Sequence, residues 1–378
     1  MKFAIDLVCT SNNSGSKTYN SKFLKYLCST KIDGEIIIYI CKGLYASLEN
    51  ELIDNKNIKY EIKSNKLTKP FNRLFWMQFI LPFDLKKKKI NILYSPLNII
   101  PLLNKFLRIK TILCLHSNLP WVFFEKMPGN YFRNLFTKFL MEASIRLSEK
   151  LIVNSDFAKQ EIEQKLNLKK SKIKRIYLGL DKDSNNDQNE YYIDNFDYSQ
   201  NYILSVLSCV KYHNIENLIL AFNKLKTNNK INHKFVIVTL VLDQEYYIVI
   251  KRLIKSYNLT NDVIIFKNLD QAYLNKLYRS SKLYLFSSYC EVFGFTSLEA
   301  MSNKCNVLIS NTSSLPEINS DAADYFDPDN VSEIENKMKL NLFDENHRKK
   351  LLQNSINRIN FFNWEDTVKQ TINFIKKP

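Results

Sequence analysis

Two glutamates eight positions apart are the most chemically suggestive feature of this chain of 378 residues. Glu291 and Glu299 lie in the segment KLYLFSSYCEVFGFTSLEAMSNKCNVLISNTSSLP, Lys282–Pro316. An apolar run ends at Ser287-Ser288. The loop Glu291-Val292-Phe293-Gly294-Phe295 follows, and a helical pattern begins near Thr296 with Glu299 in its first turn. In an open parallel sheet, ligands bind at the carboxyl ends of strands, where helix N-termini point. The N–H groups and positive dipole end there suit phosphate or sugar oxygens, and Gly294 lets the backbone approach a ligand closely. One carboxylate on the loop and one on the helix can grip two hydroxylated parts of one ligand. The spacing alone also fits a plain loop charge at Glu291 and a helix-start residue at Glu299 that complements the dipole.

Other residues offer weaker chemistry. His116 closes the apolar run Lys110–Leu115, where a histidine is ordinarily a core residue with its hydrogen bonds satisfied. The loop Ser208-Cys209-Val210-Lys211-Tyr212-His213-Asn214 carries one permanent cation, Lys211. Asp181-Lys182-Asp183 and Asp327-Pro328-Asp329 match an Asp-x-Asp pattern but read as linker and turn. Two loop carboxylates are a thin ligand set for a hard cation, so neither a metal nor a resident cofactor is expected. The seven cysteines (9, 28, 41, 114, 209, 290 and 305) form no CxxC pair and mostly lie in apolar runs. They read as reduced, buried thiols of a cytoplasmic protein.

The elements that must position these groups alternate in type. Strand-like runs at Lys2–Cys9, Glu35–Cys41, Ile90–Tyr94, Lys110–Leu115 and Lys150–Val153 are separated by helical patterns such as Tyr131–Ser148. The Asp- and Asn-rich stretch Asp181–Gln200 breaks the rhythm and reads as a linker. Alternation restarts with strands at Tyr202–Val206, Lys234–Leu240, Val263–Phe266, Lys282–Phe286 and Asn306–Ser310, and a last helix covers about Trp364–Lys376. Strand and helix in alternation predict α/β domains with parallel sheets covered on both faces. The expected domains are 1–183 and 184–361, with the helix over about 362–378 packing back on the first.

The long segment resembles the retaining GT-B glycosyltransferases of family four. Their pattern has two glutamates separated by seven residues, an aromatic-Gly-aromatic element after the first and Glu-Ala-Met at the second. Here it reads Glu291, Phe293-Gly294-Phe295 and Leu298-Glu299-Ala300-Met301. It continues with Val307-Leu308-Ile309-Ser310, Ser314-Leu315-Pro316-Glu317 and Tyr325-Phe326-Asp327-Pro328. Ser14-Gly15-Ser16 is similar to the family's glycine-rich first loop. Cys114-Leu115-His116-Ser117 is similar to its strand end with an active-site histidine, and Ile152–Phe157 to its strand followed by a serine cap. Leu178-Gly179-Leu180-Asp181 resembles its turn before the linker, and Trp364 its late helix start. Three residues depart from the pattern: Cys209 stands where the family has Arg and His213 where it has Lys. Lys267 occupies a position that is usually Gly.

The resemblance implies a GT-B fold, two Rossmann-like domains facing across a cleft, and a metal-independent hexosyltransferase acting with retention. It implies that Glu299 accepts hydrogen bonds from the donor's ribose and that Glu291 grips the donor sugar, with Phe293, Gly294, Phe295 and Thr296 shaping that pocket. Lys211, Ser208, His213, Gly15 and Ser16 would surround the diphosphate, and His116 would lie near the sugar.

Charge bears on the partner. Residues 1–180 hold 31 Lys and Arg against 14 Asp and Glu, a net +17; residues 181–378 hold 23 against 24, a net −1. A basic half suggests an anionic partner, and the acceptor expected is a saccharide, lipid-linked at the inner membrane leaflet, in surface polysaccharide assembly. The run Lys66–Lys89, KLTKPFNRLFWMQFILPFDLKKKK, fits either a helix lying on a membrane surface or a core-packed helix ending in a solvated lysine turn. No stretch reaches the roughly 18 apolar residues of a membrane span. Met1–Asp6 runs straight into a strand without a leader-like segment, so a cytoplasmic chain, peripheral on a membrane at most, is expected. Nucleic acid is not an expected partner. The alternative class is a binding protein for a membrane surface or nucleic acid, built on a GT-B core that has lost catalysis.

Overall fold

Runs of β-branched residues buried on both faces form parallel strands only if helices cover each side of the sheet, and a computed structural model of the chain contains two such sheets. It describes residues 2–9, 15–181 and 191–377, without the side chains of Gly15, Ser16 and Gln271. The first sheet comprises β1 (Lys2–Asp6), β2 (Glu35–Cys41), β3 (Ile58–Lys63), β4 (Ile92–Ser95), β5 (Lys110–Leu115), β6 (Lys150–Val153) and β7 (Ile173–Arg175), in the order β3-β2-β1-β4-β5-β6-β7. The second comprises β8 (Tyr202–Cys209), β9 (Lys234–Val241), β10 (Val263–Lys267), β11 (Leu283–Phe286), β12 (Val307–Ser310) and β13 (Asp324–Phe326), in the order β10-β9-β8-β11-β12-β13. All described pairings are parallel, with registers such as Lys2↔Glu35 and Tyr202↔Lys234. Each order reverses once, between β1 and β4 and between β8 and β11. The crevice at the carboxyl ends beside such a reversal is where doubly wound sheets bind ligands.

The chain divides into two compact units, Met1–Asn118 with Leu135–Gly179 and Asn363–Pro378, and Leu119–Asn134 with Leu180–Phe362. A single boundary near residue 183 was expected; Leu119–Asn134 instead group with the second unit. Phe123 lies 5.5 Å from the Tyr289 ring, and the Lys126 ammonium sits 4.1 Å above that ring. Lys182, Asp183 and the remainder of 182–190 lie outside the described residues.

The Trp364–Lys376 helix returns to the first unit. Trp364 meets Tyr19 and Tyr26 of the Gly15–Ser29 helix at 5.7 and 6.4 Å, and Thr367 donates to the Tyr177 carbonyl at 2.8 Å. Gly179 is needed for this return, because a Cβ there would come within 2.2 Å of the Trp364 backbone nitrogen. The run after Lys66 becomes a helix from Pro70 to Lys87 with a wider π-type turn over Trp76–Ile80. Its inner face, Trp76, Met77, Leu81 and Leu85, packs with Ala4, Ile37, Tyr39 and Leu93 of the sheet. Arg73 on the same helix pairs with the buried Asp6 carboxylate at the end of β1 and donates from Nε to the Val8 carbonyl at 2.6 Å.

Candidate functional site

The reversal in the second sheet places two loops side by side. One leaves β8 and runs through a tight turn at Lys211–His213 into the Ile215–Asn229 helix. The other leaves β11 at Phe286 and runs through Glu291 into the Phe295–Ser302 helix. Ser287, buried at the end of β11, holds them together: its hydroxyl contacts the His213 carbonyl at 2.6 Å and the Asn214 carbonyl at 3.0 Å. The Tyr289 N–H donates to the Tyr212 carbonyl at 2.8 Å. A third loop, after β12, buttresses the second, since the Glu291 N–H donates to Ser313 Oγ at 2.9 Å and the Ser314 N–H to the Glu291 carbonyl at 3.3 Å.

Gly294 begins the second helix with φ +85°, a left-handed conformation that a residue with a Cβ adopts only at a cost. A Cβ there would also stand 2.6 Å from Leu315 Cδ2. Phe293 is buried against Phe295 and Phe362, at 5.2 and 5.5 Å between rings. The helix therefore starts at a fixed place, with Phe295 and Thr296 as its first residues. Thr296 Oγ1 lies 2.7 Å from the buried Tyr284 hydroxyl, which in turn reaches the Val206 carbonyl at 3.2 Å. Glu299 follows one turn on, with the Tyr278 hydroxyl donating to its Oε2 at 3.4 Å.

Glu291 meets a partner that spacing alone did not reveal. Its Oε1 is 3.2 Å from His213 Nε2, while His213 Nδ1 is 2.7 Å from the Ser208 carbonyl. A carbonyl only accepts, so Nδ1 carries a hydrogen. The other nitrogen faces a carboxylate, also an acceptor when ionised. A hydrogen must lie between Nε2 and Oε1, which makes the pair an imidazolium with a carboxylate or a neutral imidazole with a carboxylic acid. Both ring nitrogens are thus engaged within the protein, and His213 is only 6% exposed. The expectation that His213 holds a diphosphate is narrowed accordingly: its ring nitrogens are directed at Ser208 and Glu291. Lys211, by contrast, is exposed at the turn. Cys209 is buried, and burial pushes its thiol up to about 12, so it brings no charge to the loop. Lys267 lies on the opposite side of β8 from β11, at the end of β10, with its ammonium 5.6 Å from the Tyr247 ring. In Asp327-Pro328-Asp329, Asp327 Oδ1 accepts from the Asp329 N–H at 3.0 Å and Asp329 accepts from the Tyr289 hydroxyl.

The remaining sites expected from the sequence lie in the first unit. His116 follows β5, with its ring 4.5 Å from Tyr19 and its backbone N–H donated to Asn98 Oδ1 at 2.6 Å. Burial pushes its imidazole down to about 4, against smaller opposing contributions from Asn154 and the Pro96 backbone. Its Nε2 is shielded from solvent and makes no well-formed hydrogen bond among the described residues. Tyr19 and Tyr94 share a hydrogen bond of 2.6 Å beside it, and burial raises both phenols. Gly15 and Ser16 open the first helix of this unit, while Ser14 and the loop before it lie outside the described residues.

Several supporting residues escaped the sequence reading, namely Ser287, Ser313, Tyr278 and Tyr284. The tyrosines carried a usable signal: a phenol within an apolar element must find a partner for its hydroxyl.

Two doubly wound parallel sheets, with the acidic loop-and-helix segment at the reversal of the second, define a GT-B glycosyltransferase. The family model for glycosyl transferases group 1 matches residues 189–358 and that for glycosyltransferase family 4 matches residues 15–184. The chain belongs to this family. It is 26% identical over 270 residues to the serotype-specific mannosyltransferase WbdA of Escherichia coli, covering 70% of this chain and 33% of that protein. A stretch of 100 residues is 35% identical to the O-antigen chain mannosyltransferase B of Escherichia coli, 26% of either chain. The chain thus spans about a third or less of the curated relatives it matches. Among solved structures, Anabaena HepE in complex with UDP and glucose is similar over 99% of both chains, with a TM-score of 0.74 at 16% identity.

Proposed function

We propose that this glycosyltransferase moves a hexose, with mannose the first candidate, from a nucleoside diphosphate sugar to a saccharide acceptor in cell-surface polysaccharide synthesis. The acceptor is lipid-linked, the anomeric configuration is retained, and no divalent metal is required. The observation that carries the reading is the meeting of Glu291, Gly294 and Glu299 with the Lys211 turn beside β8 and β11. Glu299 receives the ribose hydroxyls, as an acidic residue does in other nucleotide folds. Glu291, oriented by His213, receives hydroxyls of the donor sugar. The N–H groups of Phe295 and Thr296 orient that sugar, and the Lys211 ammonium stabilises the leaving diphosphate as the glycosidic bond breaks. Ser208, at the end of β8, shapes the same turn through its carbonyl. On the family resemblance alone, His116 and the Gly15-Ser16 segment are the first unit's candidates for sugar and phosphate contacts. The mannosyltransferases named above and the UDP complex of HepE support the donor class.

Release of nucleoside diphosphate from a panel of GDP- and UDP-sugars, with and without a saccharide acceptor and in excess chelator, tests the reading. Acceptor-dependent release from one donor, unchanged by chelator, is expected. Release that needs added manganese overturns the metal-independent part. No release from any donor, with salt-sensitive binding to DNA or vesicles intact, favours a binding protein.

A further inference from the structure

The helix from Pro70 to Lys87 has two apolar faces, and only one of them is in the core. On the outer face Phe71, Phe75, Phe79, Ile80 and Phe83 are exposed, Phe71 to 79%. They recur at nearly every turn, and the wide turn at Trp76–Ile80 brings Phe79 and Ile80 to the surface together. Two neighbouring elements extend this surface. The Gln78 side chain donates to the Ile100 carbonyl at 2.9 Å and accepts from the Leu102 N–H at 2.9 Å, which fixes the Pro101–Phe106 segment beside the helix. Phe106, at its end, is 79% exposed. The Ile100 N–H donates to Ser144 Oγ at 3.1 Å, which ties in the Tyr131–Leu147 helix, and its outward side carries Leu135, Phe136 and Phe139. Large exposed apolar residues scattered singly need no explanation, but a cluster across three joined elements marks an interaction surface.

Charge selects the partner. Between Lys66 and Lys110 the sequence holds ten Lys and Arg and a single acidic residue, Asp84. Asp84 is already engaged by Lys88 at 2.9 Å and the Tyr39 hydroxyl at 2.8 Å, and Arg73 is buried against Asp6. Lys66 and Lys69 precede the helix, Lys86, Lys87 and Lys89 end it, and Lys105 and Arg108 flank Phe106; all seven are exposed. An aromatic surface bordered by flexible cations fits the boundary between acyl chains and anionic headgroups, where rings enter the apolar layer and lysines reach the phosphates. A protein surface would have to present both a large apolar area and many carboxylates.

We propose that this face of the first unit docks on an anionic lipid bilayer, inserting Phe75, Phe79 and Phe83 while the surrounding lysines contact headgroups. The proposal deepens the lipid-linked acceptor reading by naming the surface that meets the membrane. It is tested without turnover, so the two can fail separately. The full chain is floated with phosphatidylcholine vesicles with and without phosphatidylglycerol, at low and high salt. Binding is expected only with phosphatidylglycerol, and it should fall with salt as screening shortens the reach of the lysines. Phe79→Ser with Phe83→Ser should weaken binding about tenfold or more. Lys86→Glu with Lys87→Glu should weaken it by about the same factor or more. Both pairs are exposed, so the circular dichroism spectrum, Tm and donor-dependent release with a soluble acceptor should stay at wild-type levels. Equal binding to neutral vesicles, no binding to either, or unchanged binding of both variants overturns the proposal. So does sedimentation showing that the wild type is a dimer which the phenylalanine variants dissociate without any vesicle binding; the face would then belong to a second copy. Docking without donor turnover leaves this surface standing and removes the transferase reading instead.

Discussion

The two sheets reverse their strand order at equivalent places, and what gathers there differs. Beside β8 and β11 the chain puts an exposed ammonium at Lys211, two carboxylates at Glu291 and Glu299, and a backbone turn that requires glycine at 294. Beside β1, β4 and β5 it puts groups held neutral by burial: His116 pushed down to about 4, Cys114 pushed up to about 12, and the Tyr19–Tyr94 pair raised. The first half of the chain carries the greater net charge, and exposed side chains such as Lys66, Lys69, Lys86 and Lys87 contribute to it. The same topology can therefore serve two tasks. A diphosphate leaving group calls for fixed cations and oriented N–H groups, whereas a neutral saccharide is recognised by hydrogen bonds and packing. On this view the second unit carries the charge-dependent part of the reaction.

The sharpest way to break the contrast is to remove the exposed cation. Lys211→Ala should lower turnover on the order of 100-fold, as losing one preorganised charge-stabilising donor does, and should weaken nucleoside diphosphate binding. A change of less than about threefold in kcat, set against that scale, would take Lys211 out of the site. A backbone test comes next in size. Gly294→Ala must adopt φ near +85° and displace Leu315, which is fully buried. A cost of about 2 kcal/mol in unfolding free energy is expected, with a further loss of donor affinity because the Phe295–Ser302 helix start shifts. Urea unfolding and thermal shift with donor measure the two separately, and a wild-type Tm would show that the turn does not need glycine.

How far the sequence revealed this arrangement depended on burial. Strands β2, β5 and β6 and the Trp364–Lys376 helix occur at the expected residues, because their apolar runs are bounded by turn or cap residues. The strands that the reading missed, β3, β7 and β13, are all sheet edges. An edge strand faces solvent along one side, and IKYEIK and IKR accordingly lack a long apolar run. The acidic segment was legible because its loop, glycine and helix are contiguous. The His213–Glu291 contact was not, since the two residues are 78 positions apart and meet only because β8 and β11 are neighbours. The Pro70–Lys87 helix was half legible: its aromatic and basic composition suited a membrane-surface helix and a core-packed one equally, and the structure shows one face in the core and another exposed to solvent.

That contact sharpens the comparison within the second unit. If His213 orients Glu291 and Lys211 holds the diphosphate, their variants should fail differently. In that case His213→Gln, which removes the hydrogen bond that orients Glu291, should lower turnover about tenfold. Affinity for free nucleoside diphosphate should stay at the wild-type level, whereas Lys211→Ala lowers it. Calorimetric titration of diphosphate into both variants decides. Equal losses of affinity would place His213 beside the phosphates after all.

The smallest expected effect lies in the first unit and concerns proton uptake by His116. An ordinary imidazole in the unfolded chain titrates near ~6.5, while in the folded protein burial holds His116 to about 4. The folded value is the lower one, so the folded state resists the proton. The stability that neutral His116 confers is complete above about pH 6.5, declines as the unfolded chain gains its proton below that, and falls no further below about 4. Folded His116 should therefore remain neutral throughout the range in which turnover is measured and add no ionisation of its own to that profile. An NMR titration of the His116 ring should give a midpoint near 4. In parallel, the Tm of wild type should fall more steeply than that of His116→Gln between about pH 6.5 and pH 4.5, since the glutamine has no proton to gain. A ring midpoint at or above the free imidazole value would mean that a charge-stabilising group faces His116, and the first unit would then share in the charge chemistry assigned above to the second alone.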